Sequence, residues 1–170
     1  MTPTILIVYA TKHGSTREVA ATVADELAVQ GFETELRPAA DVDDLSAYEG
    51  VVLGTALYMG RLHRDARRFL KRHEPTLSTL PIAVFAMGPQ TMERSQVRSS
   101  RQQLDRALAK TPKVRPVDTA IFGGVVEPSE LHFPFNKMVQ SDARDWDEIA
   151  NWAHEVGVVL AMQEQLVVSS

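Results

Sequence analysis

The 170-residue sequence contains no cysteine. Disulfides, thiol catalysis and cysteine-ligated metals are therefore excluded. The five histidines are scattered through the chain without the spacing of metal ligands, so we expect no metal site.

Long apolar runs are also missing. No run approaches the roughly 20 residues that a membrane-spanning helix requires. The N-terminus lacks the charged-then-apolar pattern of a secretory signal peptide. A net charge of −4 argues against extended binding to nucleic acid. We therefore expect a cytoplasmic protein that does not bind nucleic acid.

Short apolar runs alternate with helical patterns along the chain. Four continuous runs predict buried parallel strands and one charged, alternating run predicts an edge strand. In chain order they are Thr4–Tyr9, Phe32–Arg37 (the edge), Gly50–Thr55, Ile82–Met87 and Val117–Gly123. The clearest helix shares one apolar face from Trp146 to Leu160, with Asp145 or Asp147 at its start.

This alternation predicts an α/β fold. We expect a doubly wound, five-stranded parallel sheet in the order 2-1-3-4-5, with helices on both faces. The domain is predicted to cover residues 1–163, and residues 164–170 to form a frayed tail. Ligands of such sheets bind beyond the carboxyl ends of the strands. Three segments should lie there, namely Thr11–Thr16, Ala56–His63 and Gly88–Ser95.

The first of these segments is rich in hydroxyls and opens directly into a predicted helix. Backbone N–H groups and hydroxyls at a helix N-terminus can bind a phosphate dianion. Alternatively, Ser15 caps the helix and Glu18 completes a capping box. The additional hydroxyls of Thr11 and Thr16, with Gly14, favour phosphate binding, but the capped turn stays open as a reading.

Other nucleotide folds of this outline need residues that the sequence lacks. It contains neither a Walker G-x-x-x-x-G-K-[ST] string nor a G-x-G-x-x-G fingerprint. A phospho-receiver domain needs acidic residues after strands one and three. Here those strands end in Tyr9-Ala10 and Gly54-Thr55.

The loop sequences resemble the flavodoxin family. The first loop is similar to that family's [ST]-x-T-G-x-T phosphate loop, with His13 where threonine is usual. The resemblance implies that one FMN binds non-covalently and that the flavin carries the redox chemistry, so no side chain is assigned as a catalytic residue. It implies cofactor contacts from three loops: Thr11, Lys12, His13, Gly14, Ser15 and Thr16; Ala56, Leu57, Tyr58, Met59 and Gly60; and Met87, Gly88, Pro89 and Gln90.

Within that family, the chain is similar to the flavodoxin-like, menaquinone-dependent protoporphyrinogen oxidases. The similar stretches are Gly54–His73, Phe122–Gly124 and Asp145–Ala153. The resemblance implies an FMN-dependent oxidoreductase that converts protoporphyrinogen to protoporphyrin with a quinone acceptor, in the cytoplasm or peripherally at the inner face of the membrane. Two alternatives stay open, a one-electron carrier of the flavodoxin type and a non-catalytic interaction domain.

Cationic residues concentrate near the predicted site, although the whole chain is acidic. Lys12 and Arg101 accompany four residues that we call the basic rim: Arg61, Arg64, Arg94 and Arg98. Such a rim suits porphyrin propionates or an acidic redox partner, and its alternative is a solvated surface.

Three further features have two readings each. Tyr58 either stacks on the flavin or is a surface residue, and Gly60 either permits a peptide flip through positive φ or sits in an ordinary turn. Residues 125–144 form a lid, a partner surface or a packed loop.

Overall fold

The computed structural model describes residues 2–89, 91–126 and 141–169. In this part of the chain, the strands are β1 (Thr4–Ala10), β2 (Glu33–Pro38), β3 (Gly50–Tyr58), β4 (Arg61–Leu62), β5 (Ile82–Met87), β6 (Asp118–Phe122), β7 (Val125–Val126) and β8 (Ser141–Asp142). The helices are α1 (Ser15–Val29), α2 (Arg64–Arg72), α3 (Glu74–Leu77), α4 (Arg94–Leu108) and α5 (Trp146–Ser169). A 3₁₀ turn covers Ala39–Asp41.

The central sheet has the order β2-β1-β3-β5-β6, and all of these strands run parallel. Because β5 and β6 are the fourth and fifth strands expected from the sequence, the predicted fold and strand order are confirmed. Register aligns the carboxyl ends of the strands: Tyr9 pairs with Gly54, and Met87 pairs with Phe122. The three predicted loops therefore leave the sheet at one edge.

Helices cover both faces of the sheet. Val19, Val23 and Ile149 bring α1 and α5 onto one face, where they are fully buried. On the other face, Phe69 of α2 and Leu104 of α4 are buried against the strands. Strands covered on both sides must be apolar throughout, which explains the continuous runs in the sequence.

The second loop differs from the sequence prediction. We expected β3 to end at Thr55, but it continues to Tyr58 and turns back as β4. Leu57 pairs with Leu62, and Leu62 is only 2% exposed. Burial of this leucine draws the returning chain onto the sheet, so the predicted loop is a short antiparallel hairpin.

The C-terminal helix also differs from its prediction. Asp145 does cap it, since its carboxylate accepts from the N–H groups of Asp147 and Glu148 at 3.1 Å each. The predicted frayed tail over residues 164–170 is instead helical as far as Ser169. Met162–Gln165 are good helix formers, with no glycine or proline to stop the helix. None of the helices in the described ranges is both long and apolar enough to cross a bilayer.

Candidate functional site

The first loop places the N-terminus of α1 at the edge of the sheet, and its amides are not capped by a side chain of the described residues. Gly14 occupies the N-cap position with φ 89°, a left-handed conformation that glycine adopts without steric cost. Its N–H donates to Thr11 Oγ1 at 3.2 Å, which folds the loop on itself. Within the described residues no side chain caps α1, so its first-turn N–H groups remain available to a ligand.

The predicted capping box is wrong. Ser15 is the first residue inside α1, whereas a capping hydroxyl must come from the residue just outside the helix. Gly14 holds that place because the loop needs its positive φ. Glu18 makes a different contact, an ion pair with Arg144. Of the two readings of this segment, the geometry favours the anion-binding one.

The hydroxyl of Thr16 is the feature of this loop that indicates a ligand. The residue is fully buried, and its Oγ1 has no hydrogen-bond partner among the described residues. A buried hydroxyl without a partner costs free energy, so such groups are normally satisfied. A phosphate oxygen at the N-terminus of α1 would supply the acceptor. The neighbouring Lys12 and His13 are exposed. The loop thus fits a phosphate-bearing cofactor.

The second loop presents an exposed tip. Met59 and Gly60 both have positive φ, 51° and 79°, as a two-residue hairpin turn of type I′ requires. Positive φ is uncommon for a methionine and stores strain at this turn. Tyr58 is 56% exposed and Met59 is 75% exposed. The hairpin therefore holds an aromatic and an apolar side chain at the surface, while Ala56 and Leu57 are half-buried behind them.

Residues beyond the hairpin hold it in place. The N–H of His63 donates to Ala56 O at 3.1 Å, and Thr55 Oγ1 lies 3.2 Å from the same nitrogen. His63 Nδ1 accepts from the N–H of Asp65 at 3.1 Å and so caps α2. His63 thus has a structural place at the start of α2.

The third loop is clamped between neighbouring backbones. The N–H of Gly88 donates to Phe122 O at 3.0 Å, and that of Gly124 donates to Pro89 O at 2.8 Å. A Cβ on Gly88 would lie 2.8 Å from Ser100 Oγ, so this position has no room for a side chain. Met87 and Pro89 are buried. Gln90, the last predicted residue of this loop, lies outside the described residues.

All four residues of the basic rim are exposed at the start of α2 or α4 or in β4. Arg64 lies 3.8 Å from Asp65 with its side chain 67% exposed, so this pair is weak. In the described ranges, Arg61, Arg94 and Arg98 form no ion pair. Arg101 is different, because it donates to Thr119 on β6.

Sequence reasoning missed Arg144 as an organising residue. Its side chain is 11% exposed and donates to Glu18 at 2.6 Å and to both oxygens of Asp142 at 2.8 and 3.0 Å. Its guanidinium also lies 4.8 Å from the ring centroid of Trp146. These bonds lower the pKa of the Asp142 carboxyl. Glu18 is 126 residues away in sequence, so no local pattern could have indicated this contact.

Arg144 ties the antiparallel pair β7–β8 to α1, behind the first loop. Of the segment predicted as a lid, a partner surface or a packed loop, residues 127–140 lie outside the described residues. Those readings stay predictions. Among the residues that the structure does describe, no group of three or more histidine, aspartate or glutamate side chains could hold a metal ion.

Comparison with known proteins agrees with this architecture. A family model described as a flavodoxin domain matches residues 6–144. The chain is 23% identical over 168 residues to the protein of Escherichia coli K12 named protoporphyrinogen IX dehydrogenase (quinone), covering 89% of this chain and 93% of that protein. A protein of the same name from Leishmania major is 25% identical over 144 residues, covering 81% of this chain and 61% of its own length.

Solved structures share the fold. A point mutant of Pseudomonas aeruginosa flavodoxin superposes with a TM-score of 0.61 at 20% identity, covering 93% of this chain and 99% of that one. Oxidised flavodoxin 2 from Bacillus cereus gives a TM-score of 0.60 at 20% identity, covering 94% and 99%. In each case the likeness extends over nearly the whole of both chains.

Proposed function

We propose a function for this chain, which belongs to the flavodoxin family. It is an FMN-dependent oxidoreductase that acts on a protoporphyrinogen-type substrate with a quinone acceptor. The relatives from E. coli and L. major carry the name of that activity at 23% and 25% identity. The observation that carries the cofactor assignment is the uncapped N-terminus of α1 beside the unpartnered hydroxyl of Thr16.

The residues of the three loops have distinct roles in this proposal. The first-turn amides of α1 and the Thr16 hydroxyl hold the phosphate, as helix N-termini do in other nucleotide sites. The hairpin tip at Tyr58 and Met59 lies along the flavin, and the third loop from Met87 to Pro89 closes the other side. Bound FMN would supply the redox chemistry between a reduced substrate and an acceptor, and these residues would bind and orient it.

The surface around the loops supports an anionic substrate with an apolar body. Tyr58, Met59 and Met92 are exposed apolar side chains, and the basic rim follows them closely in the sequence. Propionate groups would meet the rim arginines, and the apolar tetrapyrrole or quinone would meet the exposed side chains. Since quinones are lipid-soluble, we include peripheral contact with a membrane in the proposal.

The first test asks whether the protein contains FMN. The protein is purified without added flavin and its visible absorption is recorded. A flavin spectrum, with FMN identified after denaturation, is expected, and a colourless protein that does not bind added FMN would leave only an interaction domain.

Turnover is tested next, under anaerobic conditions, with protoporphyrinogen and a soluble quinone. Each pair of hydrogens removed from the porphyrinogen should appear as one quinol, with FMN restored to its starting state. A protein that binds FMN but gives no porphyrin, and that instead exchanges single electrons with a reductase, would be a carrier.

A further inference from the structure

A groove outside the three loops lies between the 3₁₀ turn and α2. It has a volume of about 600 Å³, within the range of roughly 300–1,000 Å³ typical of small-molecule sites. Ala39, Ala40, Val42 and Phe69 line its apolar side. Of these, Ala40 is exposed, whereas the other three are buried and only their edges reach the groove. No residue that lines it belongs to the three loops, so the groove is separate from the proposed flavin site.

Cationic side chains border this apolar surface. Arg68, Lys71 and Arg72 line the groove, against one carboxylate, Asp65. They belong to a helix, α2, that carries five cations and one carboxylate in nine residues, although the whole chain has a net charge of −4. This helix is therefore a concentrated positive surface on an acidic protein.

Two of these cations have no anionic partner in the part of the chain that the structure describes. Arg68 and Lys71 form no ion pair within the described ranges. Arg72 pairs with Asp43 at 3.0 Å, but both side chains are well exposed, 59% and 80%. Such exposed pairs contribute little and exchange readily for another anion. An incoming anion would thus meet two or three available cations at one side of the groove.

The groove is held in shape by His73, which follows α2. The ring is 6% exposed, with Nε2 lying 3.3 Å from the carbonyl oxygen of Val42. Burial lowers the pKa of His73, so the ring is neutral near pH 7 and its Nε2–H donates to that carbonyl. The ring also packs on Phe69 at 4.8 Å. These contacts fix the 3₁₀ turn against α2 and preform the groove.

We propose that this groove binds an amphiphilic anion, a carboxylate or phosphate attached to an apolar body. Arg68 and Lys71 bind the anionic head, and the apolar body lies on Ala40 and along the aliphatic part of the Arg72 side chain, above the buried Val42 and Phe69. A soluble metabolite and a lipid headgroup with part of its chain share this chemistry. A purely inorganic anion would leave the apolar side of the groove in contact with water, and a neutral apolar molecule would leave the cations unpaired.

The test measures binding of octyl phosphate by isothermal titration calorimetry, below its critical micelle concentration. Saturable binding at one site per chain is expected, with much weaker binding of inorganic phosphate and of octanol. Arg68→Gln with Lys71→Gln should weaken octyl phosphate at least tenfold. The matched control is Arg106→Gln with Lys110→Gln, two exposed cations of the α4 region, which should leave binding unchanged.

A second variant tests the shape of the groove separately from its charge. Ala40→Phe keeps every cation, and since Ala40 is exposed the fold should tolerate it. We expect it to fill the groove and abolish binding. No saturable binding to the wild-type protein, or an equal loss in the α4 control, would overturn the proposal.

The source of the anion is distinguished by sedimentation with vesicles of phosphatidylglycerol or of phosphatidylcholine. Binding to octyl phosphate and to anionic vesicles, both lost in the groove variants, indicates a lipid headgroup. Binding to octyl phosphate alone indicates a soluble metabolite. Binding to anionic vesicles without binding to octyl phosphate would overturn the groove as a site and leave α2 as a charged surface only.

Discussion

Replacing Thr16 by valine should change stability and cofactor affinity in opposite directions. Valine keeps the shape and the β-branch of threonine but removes the hydroxyl, which is fully buried and unpartnered in the described part of the chain. A buried hydroxyl without a hydrogen bond costs about 1–3 kcal/mol by mutational data. Without flavin, we therefore expect Thr16→Val to raise the free energy of unfolding by about 1–2 kcal/mol.

The effect on FMN should have the other sign. A hydrogen bond to a charged group contributes about 1.5–3 kcal/mol, which corresponds to roughly a 10- to 100-fold loss of affinity. Riboflavin lacks the phosphate, so its affinity should change little. The ratio of FMN to riboflavin affinity therefore isolates the contact between Thr16 and the phosphate from any general disturbance of the loop.

The assay combines urea unfolding of flavin-free protein with fluorescence titration of both flavins. The matched control is Thr111→Val, because Thr111 is also buried but its hydroxyl donates to Leu108 O at 3.4 Å. That variant should lose stability and keep the affinity ratio. If Thr16→Val is destabilised like the control, and weakens FMN and riboflavin equally, the phosphate does not contact this hydroxyl.

Three further predictions concern other parts of the site. Arg144→Gln, compared at equal FMN occupancy, should lower stability by about 2–3 kcal/mol, from charged hydrogen bonds to half-exposed partners and a cation–π contact. Arg144 holds the pKa of Asp142 low. The difference in unfolding free energy between wild type and variant should therefore be complete above about pH 4, the ordinary carboxyl range, and should fade as the pH falls through the lowered pKa. A difference that stays constant down to about pH 2 would refute this. Gly60→Val should allow folding, because an added Cβ meets nothing within 4 Å, but it should shift the flavin's midpoint potentials, because valine resists the φ of 79°. Gly60→Asn should shift them less. Unchanged potentials would show that Gly60 is an ordinary turn residue. Replacing Arg61, Arg64 and Arg98 with glutamate should leave FMN affinity nearly intact. Turnover with an anionic substrate should fall, and it should fall less at high salt because salt screens exposed charges. If turnover at low salt does not change, the rim is a solvated surface.

Much of the fold could be predicted because its signals are local. The inner strands β1, β3 and β5 are covered on both faces, so runs such as Thr4–Tyr9 and Ile82–Met87 are apolar and stand out in the sequence. β2 and β6 are the two edges of this sheet, and β2 alternates because one of its faces is exposed. That alternation is what placed the second strand at an edge in the prediction. The first loop could be placed for the same reason, because it follows directly from β1.

The remaining features depend on conformations and contacts that a local pattern does not encode. The β3–β4 turn uses Met59-Gly60, whereas Asn-Gly or Asp-Gly is the usual signal for this turn type. The capping box failed because the Ser-x-x-Glu string matches the pattern one residue inside the helix. In general, spacing identifies candidate partners, but the φ of the preceding glycine decides which residue occupies the cap.

The antiparallel pair β7–β8 makes the segment between these strands a replaceable module. The chain leaves and re-enters through two paired residues on each side, Val125–Val126 with Ser141–Asp142, and neighbouring strands lie only about 5 Å apart. Loop closure between such fixed ends costs only about 0.6 kcal/mol more for each doubling of length. Insertions, deletions or exchanges within residues 127–140 should therefore leave the register of the five-stranded sheet unchanged, because β7 and β8 hold the two ends of that segment together.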